Sequence, residues 1–156
     1  PSSDSANVRG LIHLPEDHPD FTNDGFKIAA KTQASIAFSR VNRTRSPAPY
    51  DNCTREGQLG DNDYYSNFTY TFNSCQNSCL QRLAWEHCKC VDPLYKKGAE
   101  HTYCTTVADM LCLVNLPSKE TEANDDKGRH VCDCHPPCVE QAFEQIVTYG
   151  IYPSGK

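Results

Sequence analysis

The residues of this sequence with the clearest chemical potential are its ten cysteines. Cysteine thiolates ligate metals, or thiols oxidise in pairs to disulfides, and an even number permits complete pairing. Nine of them form a nearly mirrored pattern of spacings: Cys75-x3-Cys79, Cys88-x-Cys90, Cys104, Cys112 and Cys132-x-Cys134-x3-Cys138. Histidines lie near several cysteines: His87, His101, His130 and His135. The pattern lacks the Cys-x2-Cys unit of zinc knuckles, and oxidised cysteines do not ligate, so we predict disulfides and no metal site.

The composition predicts an extracellular protein. Only 38% of the 156 residues are hydrophobic, which is lean for a chain that must bury a core. Extracellular modules of this kind gain order from cross-links instead. Sequons at Asn42, Asn52 and Asn67 are predicted glycosylation sites and fit the same compartment. The sequence has no run of 18 apolar residues and no signal-peptide pattern at its start, so we expect a mature, excised or partial chain.

The charge and the motif content disfavour several classes of function. A formal net charge of -5, with only 15 Lys and Arg, argues against nucleic acid or anionic lipid as a partner. The sequence contains no Gly-x-Ser-x-Gly, no phosphate-binding Gly-rich loop and no His-Glu-x2-His. Asp125 and Asp126 are adjacent, which is poor geometry for acid–base catalysis. We therefore predict a protein that is not an enzyme and needs no cofactor.

The cysteine spacing suggests a connectivity without proving one. Two cysteines four residues apart on a helix lie about 6 Å apart at a rise of ~1.5 Å per residue. Two cysteines two residues apart on an extended segment lie at a similar distance, about 6.6 Å at a rise of ~3.3 Å. Antiparallel segments would then give nested pairs: Cys53–Cys138, Cys75–Cys134, Cys79–Cys132, Cys88–Cys112 and Cys90–Cys104. Ten cysteines admit many other connectivities, so the nested ladder is a hypothesis.

The elements that would position these cysteines include several strands. Val8 to His13 is a short candidate strand. From Gly25 to about Val41, the apolar residues at positions 34, 36 and 38 alternate with polar ones, which predicts one long, half-buried strand. We interpret the basic stretch from Arg43 to Pro49 as the solvated end of that strand rather than as an anion site. The β-rich run after Cys138, over residues 139–152, predicts a returning strand.

Helices are predicted between these strands. Apolar residues at positions 72, 75, 79, 80 and 83 predict a helix over Thr71 to Cys88, with Asn73 or Ser74 as its N-cap. Thr105 to Leu113 predicts a second, short helix. Ser118 to Gly128 is strongly charged and has almost no apolar residue that could form a helix face. The cross-linked region therefore contains one strong helix prediction and one charged segment without a predicted structure.

These features together resemble the degenerin/epithelial sodium channel family, which includes the acid-sensing ion channels. The cysteine pattern is similar to that of the family's thumb, and the similarity is on the invertebrate degenerin side. The flanks agree as well over about residues 8 to 155: Ile12-His13, Pro15, Pro19, Gly25-Phe26, Pro49-Tyr50-x2-Cys53, Phe143 and Tyr152-Pro153-Ser154. The Ala30-Lys31 pair departs from the family, since it replaces a Pro-Gly turn.

The resemblance implies an α+β, disulfide-rich fold in which antiparallel palm-type strands flank a helical thumb with a nested five-disulfide ladder. Residues 1–52 would be palm and β-ball strands, residues 53–138 the disulfide-stapled thumb, and residues 139–156 the returning palm strand. Members of the family are trimeric, sodium-permeable, amiloride-sensitive-type channels with two membrane-spanning helices per subunit. The resemblance therefore implies other channel subunits as partners, in a homo- or heterotrimer, and a location at the extracellular face of the plasma membrane.

The resemblance also implies roles for particular residues. Tyr50 occupies the position of the family's wrist aromatic, which couples the thumb to the membrane helix; the alternative is that Tyr50 is a core aromatic beside a disulfide. The carboxylates Glu120, Glu122, Asp125 and Asp126 are candidates for sensing protons or an extracellular ligand, because closely spaced carboxylates repel and raise one another's pKa. The alternative is a solvated charged loop.

We therefore hold two functional hypotheses. The first is that the chain is the extracellular sensing and gating region of a channel subunit, a fragment without the pore, with protons, a ligand or the matrix as its stimulus. The second is that it is a secreted, disulfide-rich binding module that shares the thumb scaffold. An apolar span upstream of Pro1 and another after Lys156 in the open reading frame would favour the first, whereas a signal peptide and a stop codon would favour the second.

Overall fold

The computed structural model describes residues 7–21, 24–55, 64–116, 132 and 134–151. Its elements, in chain order, are β1 (Asn7–Gly10), β2 (Phe26–Ala29), β3 (Thr32–Thr44), α1 (Phe72–Cys88), α2 (Val107–Val114) and β4 (Val139–Ile151). The strands pair antiparallel, β1 with β2 and β3 with β4. Together with five disulfides, these elements confirm the predicted α+β class and its nested ladder.

The first strand is shorter than the sequence predicts. β1 pairs with β2 from Asn7 opposite Ala29 to Gly10 opposite Phe26, so the prediction of a strand as far as His13 is wrong. Gly10 lies against the Phe26 ring, where an added Cβ would stand 2.5 Å from Cζ. A side chain at position 10 would therefore require the Phe26 ring to move, and the chain beyond Gly10 forms a loop.

The single long strand predicted over residues 25–41 is also wrong, because a turn divides it into β2 and β3. Lys31 has a φ of 62°, a left-handed conformation that interrupts a strand. The Thr32 hydroxyl donates a hydrogen bond to the Ala29 carbonyl across this turn, at 2.7 Å. Ala30 and Lys31 thus form a turn, although they differ from the Pro-Gly pair of the family.

β3 and β4, called the strand pair below, form a long antiparallel ladder. Their register runs from Thr32 opposite Ile151 to Thr44 opposite Val139. The predicted alternation holds at positions 32 to 36, where even residues are half-buried and odd ones exposed. It fails at Phe38, which is 61% exposed and has the edge of the Phe143 ring beside it at 6.0 Å between centroids. Much of the apolar surface of the strand pair is therefore uncovered in the described part of the chain.

α1 confirms the helix predicted over Thr71 to Cys88, but the predicted N-cap is wrong. Thr71, rather than Asn73 or Ser74, is the N-cap. Its hydroxyl accepts the Ser74 amide at 3.0 Å, and the Ser74 hydroxyl accepts the Thr71 amide at 3.0 Å. This reciprocal capping box satisfies two amide donors of the first turn, which a cap at Asn73 would leave without partners.

The buried face of α1 is polar. The most deeply buried residues include Tyr65, Gln81, Val91 and Cys104, all less than 2% exposed. The Gln81 amide donates to the carbonyls of Asp92 and Lys96 at 3.0 and 3.1 Å and accepts the Asp92 amide at 2.8 Å. The expected apolar face is less buried, since Phe72 is 38% exposed. The core therefore holds the 92–96 loop against the helix through hydrogen bonds as well as apolar contact.

α2 confirms the predicted second helix, shifted by one or two residues. Thr106 caps it, and the Asp109 carboxylate accepts the amides of Thr105 and Thr106 at 3.1 and 2.9 Å. These bonds lower the pKa of the Asp109 carboxyl. No residue of α2 is buried, and Val107 and Val114 are each 79% exposed. The charged segment 118–128 lies outside the described residues.

Candidate functional site

The five disulfides of the described chain form a nested ladder. The pairs are Cys53–Cys138, Cys75–Cys134, Cys79–Cys132, Cys88–Cys112 and Cys90–Cys104. The two pairs that join α1 to the segment containing Cys132 and Cys134 have the same Cα separation, 5.9 Å. This separation is ordinary for a disulfide, and Cys88–Cys112 has it too, so the finding is that the two bonds join the predicted partners. The ladder thus fixes α1 along two of its turns.

The inner disulfides hold the C-terminal end of α1. Cys90 and Cys104 are both buried, at 6% and 1% exposure. Beside them Val91 donates its amide to the Thr102 carbonyl, and the Cys104 amide donates to the Val91 carbonyl, each at 2.9 Å. The Cys88–Cys112 bond then attaches α2 to the end of α1. Both helices and the loop between them are therefore cross-linked at one end.

The outermost disulfide joins this cross-linked region to the strand pair. The Thr54 amide donates to the Pro136 carbonyl at 2.8 Å, and the Cys138 amide donates to the Thr54 carbonyl at 2.9 Å. The Arg45 amide donates to the Cys138 carbonyl at 2.7 Å, one residue after β3 ends. β4 begins at Val139, directly after Cys138. Movement of the disulfide would therefore be transmitted to both strands.

An ion pair reinforces this junction. Arg45 Nη1 lies 2.7 Å from Glu140 Oε2 and donates to the Pro137 carbonyl at 2.8 Å. The side chains of Arg45 and Glu140 are 25% and 29% exposed, whereas those of the Arg43–Glu144 pair are 46% and 59% exposed. Charge pairs are stronger where less water screens them. The basic stretch is thus a solvated strand end at Arg43, as predicted, but Arg45 belongs to the junction.

Tyr50 lies close to the junction in sequence and is the predicted coupling residue. It is 86% exposed, and its amide donates to the Pro47 carbonyl at 3.2 Å. The alternative of a core aromatic is therefore wrong for the described structure. An exposed aromatic side chain is free to contact another part of the protein, and the coupling role stays a prediction.

The other predicted site residues do not converge. The sequons at Asn42, Asn52 and Asn67 are all exposed, and glycosylation there stays a prediction. His101 packs against Trp85, with ring centroids 4.4 Å apart, rather than beside a second histidine. No group of three metal-binding side chains occurs among the described residues. The sensing candidates Glu120, Glu122, Asp125 and Asp126, and also His130, lie outside the described residues.

The structure instead brings together carboxylates that the sequence reasoning missed. They line a cleft of about 940 Å³ between residues 11–20 with Asp24, the start of α1, and β4. Its acidic residues are Glu16, Asp17, Asp20, Asp24 and Glu140. Four of them fall within nine residues of sequence, and this clustering is the signal that could have indicated the site.

The ionisation of this acidic cleft reflects burial and mutual repulsion. Burial first, and then the Asp20 charge, raises the pKa of the Asp24 carboxyl. Burial likewise raises the pKa of Asp17, with a further contribution from Glu16. Burial lowers the pKa of His18, followed by repulsion from Lys96. This lowered pKa favours the neutral form of His18.

In the described residues, no helix combines the length and the apolar character needed to cross a bilayer. The family model described as "Amiloride-sensitive sodium channel" matches residues 1–156. The chain is 28% identical to "Degenerin-like protein asic-2" of Caenorhabditis elegans and 29% identical to "Degenerin mec-4" of Caenorhabditis briggsae, in each case over 99% of its own length. It is 24% identical, over 96% of its length, to the "FMRFamide-activated amiloride-sensitive sodium channel" of Cornu aspersum. It spans only 28%, 20% and 28% of these relatives, respectively.

Proposed function

The chain belongs to the amiloride-sensitive sodium channel family, and from this premise we propose that it is part of the extracellular sensing and gating region of a sodium-permeable channel subunit. The family match over residues 1–156 is the observation on which this proposal rests. Residues 53–138 would be the thumb, and residues 1–52 and 139–156 would be strands of the palm and β-ball. Ion conduction would be a property of the assembled trimer of subunits at the plasma membrane.

The cross-linked region is suited to act as a lever. Five disulfides limit its internal deformation, so a force on its outer end would rotate it as a unit. The Cys53–Cys138 bond and the Arg45–Glu140 pair would pass that rotation to the strand pair. Tyr50 would contact the membrane-spanning part of the subunit from the same junction. The stimulus would be protons, a ligand or the matrix acting on the thumb, with Glu120, Glu122, Asp125 and Asp126 as candidate sensors.

Replacing Tyr50 in the full-length channel tests this proposal. Tyr50→Ala should reduce the stimulated current per surface channel by about 5- to 150-fold, the range expected for loss of ~1–3 kcal/mol of coupling. Current is measured by voltage clamp and surface density by biotinylation. Tyr103→Ala removes another exposed tyrosine, in the cross-linked region, and should leave both unchanged.

Two results would contradict the proposal. If the current per channel is unchanged in Tyr50→Ala, Tyr50 does not couple the thumb to the membrane-spanning part of the subunit. Secretion of the native protein into the medium, without membrane attachment, would support a free binding module in place of a channel subunit.

A further inference from the structure

One of the three sequons contains a cysteine of the disulfide ladder. The sequon over residues 52–54 has Cys53 at its centre, and Cys53 pairs with Cys138. The sequons at Asn42 and Asn67 contain no cysteine. The chain thus has one glycan acceptor that carries a cross-link, and two others that serve as an internal comparison.

The closed disulfide places this sequon against the segment that precedes β4. The Thr54 amide donates to the Pro136 carbonyl at 2.8 Å, and the Thr54 carbonyl accepts the Cys138 amide at 2.9 Å. The Asn52 Nδ2 atom lies 3.1 Å from His135 Nε2. All three residues of the sequon are therefore attached to one segment, the asparagine by its side chain, the cysteine by the disulfide and the threonine by its backbone.

Addition of a glycan requires the sequon to leave this arrangement. The transferase recognises the asparagine together with the hydroxyl two residues later, so its active site must enclose all three residues. Single hydrogen bonds such as those of Thr54 contribute little net stability, because water replaces them, and they open readily. The Cys53–Cys138 bond is covalent and opens only by attack of a thiolate. The closed disulfide, rather than the hydrogen bonds, is therefore the barrier to modification at Asn52.

The order of synthesis leaves time for modification before the disulfide closes. Cys138 follows Cys53 by 85 residues, so at ~5–20 residues per second it reaches the secretory compartment about 4–17 s later. Disulfide formation then takes seconds or longer. A glycan added in this interval does not prevent closure, because Asn52 is exposed and its modified amide retains one N–H for His135.

We propose that Asn52 is a glycosylation site whose occupancy is set by competition between glycan transfer and closure of the Cys53–Cys138 bond. In the transfer, Asn52 Nδ2 bonds to the first sugar carbon of a lipid-linked oligosaccharide, Nδ2 loses a proton, and the lipid pyrophosphate leaves. In the closure, the two thiols are oxidised together, and their protons and electrons reduce a disulfide of an oxidoreductase. Chains that close first remain unmodified at Asn52. The protein therefore exists in two forms, which differ by a glycan two residues from Tyr50.

The occupancy of the three sequons is measured on the full-length protein synthesised in animal cells. Endoglycosidase treatment of the newly made protein leaves one N-acetylglucosamine on each modified asparagine, which peptide mass spectrometry detects. In the wild type, Asn52 should be incompletely modified. Cys138→Ser preserves the sequon and removes the partner of Cys53, so the unmodified fraction at Asn52 should fall at least about twofold. The fractions at Asn42 and Asn67 should change less than that at Asn52, since neither sequon contains a cysteine.

Cys104→Ser is the matched control, because it also leaves one cysteine without its partner but lies outside every sequon. It should leave the unmodified fraction at Asn52 unchanged, whereas synthesis of the wild type in dithiothreitol should reproduce the effect of Cys138→Ser. Complete modification of Asn52 in the wild type, an unchanged fraction in Cys138→Ser, equal changes in the two variants or equal changes at the three sequons would each overturn the proposal. None of these measurements involves ion conduction, so failure of the channel function would not affect the result.

Discussion

The cross-linked region, residues 53–138, and the strand pair are stabilised in different ways, although the whole sequence is poor in hydrophobic residues. Between Cys53 and Cys138, covalent bonds and buried hydrogen bonds surround a small core that includes Tyr65, Val91 and Cys104. The strand pair has no disulfide within it and leaves Phe38 and Ile146 61% and 71% exposed. The cross-linked region also leaves Val107 and Val114 of α2 exposed, but its described elements are joined covalently, whereas the two strands of the pair are joined by a ladder of hydrogen bonds. The difference indicates that the cross-linked region is stabilised by its own disulfides, whereas the strand pair depends on further contacts.

The physical basis of this difference is the loop-closure entropy of the unfolded chain. A cross-link lowers that entropy, so it stabilises the folded region without requiring apolar area. A two-stranded ladder has no such constraint and is at best marginally stable in water without packing on one face. The strand pair therefore gains its order from the junction at Cys53–Cys138 and from whatever covers its apolar side chains.

The largest expected effect comes from removing an inner disulfide. Cys90→Ala combined with Cys104→Ala should lower the free energy of unfolding by about 3 kcal/mol, the chain-entropy value for a loop near 15 residues. Urea denaturation followed by circular dichroism measures it. The matched change in the strand pair, Phe38→Ala, should cost less than about 1 kcal/mol because Phe38 is mostly exposed. Equal losses of unfolding free energy in the two variants would contradict the proposed difference between the cross-linked region and the strand pair.

A polar substitution tests the hydrogen-bonded part of the core. Gln81→Leu should cost about 2–3 kcal/mol, because it leaves the Asp92 amide and two carbonyls buried without their partners. Gln76→Leu is the control, since it makes the same change on the same helix at a residue that is not fully buried. Thermal and urea unfolding of both variants provide the measurement. If Gln81→Leu were neutral, apolar packing rather than hydrogen bonding would hold the 92–96 loop.

Two arginines separate the junction from the solvated strand. Arg45→Ala should lower the free energy of unfolding by about 1–2 kcal/mol, because it removes a half-buried ion pair and the hydrogen bond to the Pro137 carbonyl. Arg43→Ala removes the more exposed pair with Glu144 and should cost less than about 0.5 kcal/mol. Added salt should reduce the free energy lost in Arg43→Ala further, because it screens the exposed ion pair. If Arg43→Ala lowered the free energy of unfolding more than Arg45→Ala, the Arg45–Glu140 pair at the junction would not be the stronger of the two ion pairs.

The smallest expected effect is a pH dependence at His18. Burial lowers the pKa of His18 in the folded state below its ordinary value of 6.5, so the unfolded chain binds more protons between those two values. The stability that neutral His18 contributes is thus complete above pH 6.5 and is lost as the pH falls through the folded-state pKa. His18→Phe keeps an aromatic ring against Tyr65 and Phe68 and should reduce this loss, by less than about 1 kcal/mol after solvent screening.

Urea titrations of wild type and His18→Phe at several pH values measure the difference. Burial raises the pKa of Asp17 and Asp24, so they contribute the opposite slope, stabilising below pH 3.8 and losing that contribution as the pH rises. Those carboxylates are common to both proteins, and their contribution largely cancels in the comparison. Parallel pH profiles for the two proteins would exclude His18 as a source of pH dependence.

Local chemistry in the sequence predicted the covalent framework. The spacings of Cys75 with Cys79, and of Cys132 with Cys134, predicted two matched disulfides because helical and extended rises are nearly invariant. Apolar spacing predicted α1 and β-rich composition predicted β4 to within a few residues, and α2 was also predicted to within two residues. Where the sequence reasoning failed, at the N-cap and at the turn before β3, the outcome depended on hydrogen bonds of Thr71 and on one left-handed residue, Lys31.

Only the tertiary structure decided which side chains meet across the chain. It placed Arg45 against Glu140, buried the polar face of α1, exposed Tyr50 and gathered Asp17, Asp20 and Asp24 beside Asn77. No sequence period relates these residues, since Arg45 and Glu140 are 95 positions apart and Asp20 and Asn77 are 57 positions apart. Periodicity shows how a segment folds, whereas electrostatics and hydrogen bonding depend on distances through space that the order of residues does not contain.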